Sequence, residues 1–208
     1  AGGQVRRTMK DVPGSSQHKH ASLLFGPLAG IAGSDLHGGR VTRSEALRWH
    51  TLHGFYGRAL DPAVEEALAN TILCSGGANP QKLFGFRSGP IMRPEEWCYC
   101  PVCVIEDWDQ GDVPAWKVLH QLPLLTHCHI HQRQLIGRCR SCKVILERGH
   151  DWRLPGEPCR CCGSRQEITH DQPISQGQAS CGALSWRIFR GSVPSFRPKQ
   201  WAEMVDAF

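Results

Sequence analysis

Four short segments decide how this chain folds: Cys100-Pro101-Val102-Cys103, Cys128-His129-Ile130-His131, Cys139-Arg140-Ser141-Cys142 and Cys159-Arg160-Cys161-Cys162. In each, two metal-ligating side chains are separated by two residues. On a tight turn that spacing makes the side chains converge while backbone amides point at the sulfurs. Two such pairs complete a tetrahedral zinc site. The four half-sites therefore predict two structural zinc ions, with Cys100, Cys103, Cys128, His131, Cys139, Cys142, Cys159 and Cys162 as their ligands. Gly163 follows the last pair and suits the turn after a ribbon knuckle.

Sequential pairing leaves connecting loops at 104–127 and 143–158; a crossed arrangement needs the longer loops 104–138 and 132–158. Loop-closure entropy grows slowly with length, so it favours sequential pairing only mildly and leaves the crossed one open. Several neighbours offer alternative ligands. Cys98 and Cys161 flank cysteines of the set, and His127 and His129 flank Cys128 and His131. Cys74 and Cys181 stand alone and read as buried or free thiols.

Working outward, the chain has 208 residues with 11 cysteines, an odd number that excludes complete pairing as disulfides within one chain. Nine of them fall within 97–165. A redox role for one Cys-x-x-Cys is disfavoured because none sits in a thioredoxin-like strand-then-helix context. The 22 Gly and 14 Pro predict many loops and small subdomains, which bury little surface and often need a metal to hold them. No stretch reads as a signal peptide, and the longest apolar run, 21–33, is too short and too broken to span a bilayer. A reducing cytoplasm is the expected compartment.

The net charge is +5, and its distribution matters more than its size. Six acids and no Lys or Arg lie between Pro94 and Asp112: Glu95, Glu96, Glu106, Asp107, Asp109 and Asp112. Between Gln132 and Arg165 there are eight basic residues (Arg133, Arg138, Arg140, Lys143, Arg148, Arg153, Arg160 and Arg165) against three acids. This basic segment, with Trp152 nearby, is the expected nucleic-acid contact; the acidic one suits a basic protein partner or a solvated loop. Trp97, Tyr99, Trp108 and Trp116 are expected to pack the small zinc core rather than stack on bases.

Residues 1–20 read as a flexible arm. The glycine-rich stretch 21–40 carries little periodic signal. In 41–75, Thr42 followed by Glu45 is a capping-box signature and predicts a helix over 43–53 ending at Gly54. Asp61 then Pro62 reads as N-cap and first helical position, with Val64, Ala67, Leu68 and Ile72 on one apolar face and a stop at Ser75-Gly76-Gly77. Asn79-Pro80 suggests a short turn through Phe84. These helices suit a helix-turn-helix and, equally, any helical hairpin. Residues 166–185 look like polar loop, and 195–208 suggests a helix with Trp201, Met204, Val205 and Phe208 on one face, which docks on the domain or continues into a further one. The fold class expected is a small metal-bound α+β protein: helix-turn-helix-like short helices in 21–95, two zinc-ribbon or zinc-finger modules in 96–165, then a loop and a C-terminal helix in 166–208.

The order Trp97-Cys98-Tyr99-Cys100-Pro101-Val102-Cys103, Glu106-Asp107, Trp116, Leu122-Pro123-Leu124-Leu125-Thr126-His127-Cys128-His129-Ile130-His131 and Leu135-Ile136-Gly137-Arg138-Cys139-Arg140-Ser141-Cys142 resembles the TniQ family. That family's pattern runs Tyr-Cys-Pro-x-Cys, an acidic pair, an aromatic, Leu-Pro-x-x-Thr-x-Cys-x-x-His and Arg-Cys-x-x-Cys. The agreement extends over 97–163 and includes residues that are not ligands. Upstream, 41–95 is similar only in kind. The chain departs from the pattern in the extra Cys98, in His127, and in His129 where Pro is common.

The resemblance implies sequential pairing of the half-sites and a non-enzymatic target-selection subunit of a DNA transposon, acting in the bacterial cytoplasm at the nucleoid. Its implied partners are an AAA+ transposition regulator and target DNA or a guide RNA-effector complex of the CRISPR kind, with no membrane; a homo-oligomer is left open. Two rivals belong to other classes. One is a free-standing zinc-ribbon DNA-binding regulator. The other is a zinc hydrolase using His127, His129 and His131, disfavoured because no His-Glu-x-x-His or deaminase-type pattern supplies a general base.

Overall fold

The computed structural model describes residues 42–73, 96–122, 125–147, 153–166 and 174–193. They divide between two compact units, one within 89–186 and the other within 9–88 and 187–208. The expectations for 1–40, 74–95 and 195–208, and for Trp152, lie outside the described residues.

The helical unit opens with α1, Arg43–His50, whose start is the capping box. Glu45 N donates to Thr42 Oγ1 at 3.2 Å and Thr42 N donates to Glu45 Oε2 at 2.8 Å. The helix stops at Thr51, three residues earlier than the sequence suggested. The reason is the Thr51 hydroxyl, which donates to Leu47 O and accepts from His53 N, closing one helix and opening the short α2, His53–Tyr56. Gly54 is therefore no cap. It lies inside α2, where a Cβ would collide with the Arg48 carbonyl.

A 3-10 turn, Gly57–Ala59, leads to α3, Pro62–Leu73. Asp61 caps α3 as expected, accepting from Ala63 N at 3.2 Å. Leu68 and Ile72 are fully buried, whereas Val64 faces outward, so only half of the expected face is core. Residues 187–193 close the unit: Phe189 meets Trp49 edge-on at 5.4 Å. Arg48 and Arg58 donate to the carbonyls of Arg190 and Val193 at 2.9 and 3.0 Å, a common way to satisfy a helix C-terminus.

The cysteine-rich unit contains no extended strand among the described residues, only isolated antiparallel bridges: Tyr99 with Ile136, His127 with Gln134, and Arg138 with Ile145. Its helices are α4, Pro101–Asp109, and the N-terminal part of α5, Gln176–Arg190. The second corrects the sequence reading. The first Cys-x-x-Cys follows an isolated bridge rather than a strand and opens a helix, with Pro101 in the first turn where its missing N–H costs nothing. Residues 176–185, expected as loop, are helical despite Gly177 and Gly182. Trp186 of this helix lies against His129, ring centroids 4.8 Å apart, so tertiary packing accompanies a helix of poor local propensity.

One core cluster of this unit is made of Tyr99, Val104, Ile136, Cys139, Leu146 and Cys159 with Trp116 packed on it. Trp116 meets both Trp97 and Tyr99 edge-on at 5.7 Å, and its indole N–H donates to Arg153 O at 2.6 Å. The expected packing of Trp97, Tyr99 and Trp116 is thus observed. Trp108 differs: it is 54% exposed on the outer face of α4.

Candidate metal centres

Three of the four half-sites are built by the same backbone turn. Cys128 N donates to Arg133 O and Gln132 N to Cys128 O; Cys139 N to Val144 O and Lys143 N to Cys139 O; Cys159 N to Ser164 O and Gly163 N to Cys159 O. All six bonds are 2.8 or 2.9 Å. Each turn places a left-handed residue four positions after its first cysteine: Gln132 at φ 53°, Lys143 at φ 61° and Gly163 at φ 74°. The fourth half-site differs. Cys100 is the N-cap of α4 and Cys103 lies in its first turn, where the positive end of the helix favours thiolates.

The half-sites pair sequentially. Cys100, Cys103, Cys128 and His131 form one group that could hold a metal ion, and Cys139, Cys142, Cys159 and Cys162 form another. In the first, His131 Nδ1 lies 3.5 Å from Cys100 Sγ, 3.4 Å from Cys103 Sγ and 3.6 Å from Cys128 Sγ, while the sulfurs of Cys103 and Cys128 are 3.8 Å apart. In the second, Cys139 lies 3.6 Å from Cys162 and Cys142 3.6 Å from Cys159, sulfur to sulfur. A tetrahedral ion with metal–sulfur bonds of about 2.3 Å and a metal–nitrogen bond of about 2.0 Å requires edges of roughly 3.8 and 3.5 Å. The donor sets fit such an ion.

Outer partners hold these ligands in place. Glu106 Oε1 lies 3.0 Å from His131 Nε2, which leaves Nδ1 to face the sulfurs. Gln166 Nε2 donates to Cys139 Sγ at 3.3 Å, and Ser164 Oγ lies 3.3 Å from Cys139 Sγ and 3.1 Å from Cys162 Sγ. Burial raises Cys139, but the amides of Cys142 and Ser141 and the Ser164 hydroxyl outweigh it and hold this thiol at about 5. Hydrogen bonds from Cys100 and Cys103 hold Cys128 far below the ordinary thiol range. Cys100 is pushed up to about 11: a bond with Cys103 opposes the rise, but the bond with Cys128 and burial prevail.

The flanking candidates lie outside both sets. Cys98 is a thiol raised to about 11 by burial and by Glu96, with its backbone clamped by Gln121 through bonds of 2.9 and 2.8 Å. Cys161 is exposed, and Cys181 is a free, half-buried thiol on α5. His127 Nδ1 lies 2.8 Å from Thr126 Oγ1. His129 lies against Trp186, ring centroids 4.8 Å apart, and groups with His120 and Cys128. Sequence reading missed His120 altogether, because a lone histidine in Leu119-His120-Gln121 carries no spacing signal.

The charged segments are used differently from one another. In the acidic one, Glu106 serves His131, Asp107 pairs with Lys117 at 2.9 Å, and Glu96 pairs with Arg138 at 2.6 Å. Three of these acids therefore have partners inside the chain. In the basic segment, Arg153 is 7% exposed; it pairs with Glu157 at 3.3 Å and donates to the carbonyls of Leu146 and Pro158. It presents nothing outward. Lys143, Arg160 and Arg165 are exposed, Arg133 and Arg140 are half-buried, and Arg148 lies outside the described residues.

No helix among the described residues is long and apolar enough to cross a membrane. No curated protein matches the chain. The TniQ family does match, over residues 2–135. That span takes in the helical region as well as the first metal centre, a wider reach upstream than the motif resemblance suggested, and it ends before the second centre. The match covers more than half of the sequence, together with the whole Cys100, Cys103, Cys128 and His131 set, and the chain belongs to the TniQ family of transposition-associated proteins.

Proposed function

We propose that this chain is a transposition target-selection adaptor, in which two structural zinc ions fold a platform that recognises macromolecules. It links target DNA or a guide RNA-effector complex to an AAA+ transposition regulator. The observation that carries the reading is the family match combined with two centres of four protein donors each. A catalytic zinc needs an open coordination position, and neither donor set leaves one. The run of histidines also diverges: His131 joins the three cysteines, His127 turns to Thr126, and His129 turns to Trp186. That geometry speaks against the hydrolase.

In this reading the paired knuckles are zinc ribbons, and α1 to α3 act as a helix-turn-helix-like element. The exposed cations Lys143, Arg160 and Arg165, with the half-buried Arg133 and Arg140 and with Arg138 at their margin, meet phosphates of DNA or RNA. The adaptor works in the bacterial cytoplasm at the nucleoid.

The test is co-purification of the full chain with the AAA+ regulator of its own element, with and without ATP. ATP-dependent association is expected. Tight, sequence-specific DNA binding by the chain alone, with no association with the regulator, would replace the adaptor by a free-standing DNA-binding regulator.

A further inference from the structure

His120 is 2% exposed, and neither of its ring nitrogens has a hydrogen-bond partner. A buried imidazole N–H without an acceptor is costly. The ring is held in place by its surroundings. It belongs to the 3-10 turn Val118–Gln121, between the buried Leu119 and the Gln121 side chain that clamps Cys98. One of its nitrogens lies within 4.8 Å of Cys128 Sγ.

The first centre supplies that acceptor. Three thiolates and one neutral imidazole around a divalent cation carry a net charge of −1, since −3 and +2 sum to −1. That charge sits among buried side chains, where a hydrogen bond to an anionic sulfur is stronger than a neutral one. The histidine of the set, His131, already has its outer partner, Glu106. We infer that His120 is a positioning residue of the first metal centre: its N–H donates to the Cys128 thiolate and directs that sulfur toward the ion. His129 takes a different part, since its ring lies against Trp186 of α5.

The inference rests on the first centre holding a metal, and the test separates the two. The full chain is loaded with Co²⁺ and compared with His120→Phe, which fills the volume without a donor, and His120→Asn, which keeps one. Metal per chain, the thiolate-to-cobalt charge-transfer absorption and the rate of metal loss to a chelator are read together. All three proteins are expected to bind two equivalents. His120→Phe should release the ion of the first centre about 10–100-fold faster, with a shifted charge-transfer band, as loss of an outer-shell partner does at other sites. His120→Asn should recover most of the parent's retention. Should His120→Phe fail to fold, His120→Leu against His120→Asn carries the same contrast.

Unchanged release and an unchanged band in the donor-free variant would overturn the assignment. So would a third equivalent bound by the parent and lost in that variant, which would make His120 a ligand. A parent that binds no cobalt overturns the metal reading itself, and this inference with it.

Discussion

Glu106 Oε1 lies 3.0 Å from His131 Nε2, on the far side of the ring from the nitrogen that faces Cys100, Cys103 and Cys128. Glu106 projects from α4, the helix that Cys100 caps. One short helix and its N-cap thus carry two candidate ligands and the group beside a third. Replacing Glu106 by Ala should lower the metal affinity of the first centre about 10–100-fold, with Glu106→Gln intermediate and the second centre untouched. Competition with a chelating dye measures it, and equal affinity in all three proteins would show that the contact is incidental.

The second centre is expected to hold its own segment together. Cys139→Ser combined with Cys142→Ser should remove one metal equivalent and unfold 132–166, because metal binding and folding free energy are linked at such sites. Cys139 and Cys159 also belong to the shared core, so the damage should reach Tyr99 and Val104. Metal content and melting curve are the readouts; a double variant that matches the parent in both would refute the site.

The three repeated turns allow a backbone test. A left-handed conformation costs a non-glycine residue roughly 1–2 kcal/mol, part of which glycine gives back in chain entropy. Gln132 and Lys143 occupy the position that Gly163 fills in the third turn. Lys143→Gly should therefore raise stability by about 1 kcal/mol and Gly163→Ala should lower it by about the same amount, as read from denaturant midpoints of the metal-loaded protein. A destabilised Lys143→Gly would mean that the bond from Lys143 Nζ to Arg140 O outweighs the strain.

In the helical unit, burial lowers the pKa of His53 below its ordinary value of 6.5, against the attraction of Glu65, which lies 3.1 Å away. A depressed folded-state pKa contributes stability that is present above 6.5 and lost as pH falls through the folded value. The melting temperature of the parent should therefore drop relative to His53→Phe as pH is lowered from 7 toward 5. Using the difference between the two proteins cancels ligand protonation at the metal centres, which both share. A gap independent of pH would show that His53 is not a buried neutral imidazole.

What the chain discloses unaided are the features encoded within a few residues of one another. Cys139 and Cys142, or Thr42 and Glu45, act through local geometry, so their roles follow from spacing and from residue chemistry. The start of α3 at Asp61-Pro62 is legible for the same reason, as is Gly163 after the last knuckle. Long-range packing decided the rest. Whether Glu106 and Asp107 face a partner or the chain itself depends on His131 and Lys117, which lie many residues away. Gly54 is required by the Arg48 carbonyl rather than by a helix end, and 176–185 are helical where Trp186 of the same helix lies against His129. Arg153 resembled its exposed neighbours in sequence, yet it is buried, because Glu157 and two carbonyls satisfy its charge. Short-range spacing selects the candidate ligands; only the three-dimensional fold determines which other side chains reach them, since those contacts form between segments whose separation along the chain carries no periodic signal.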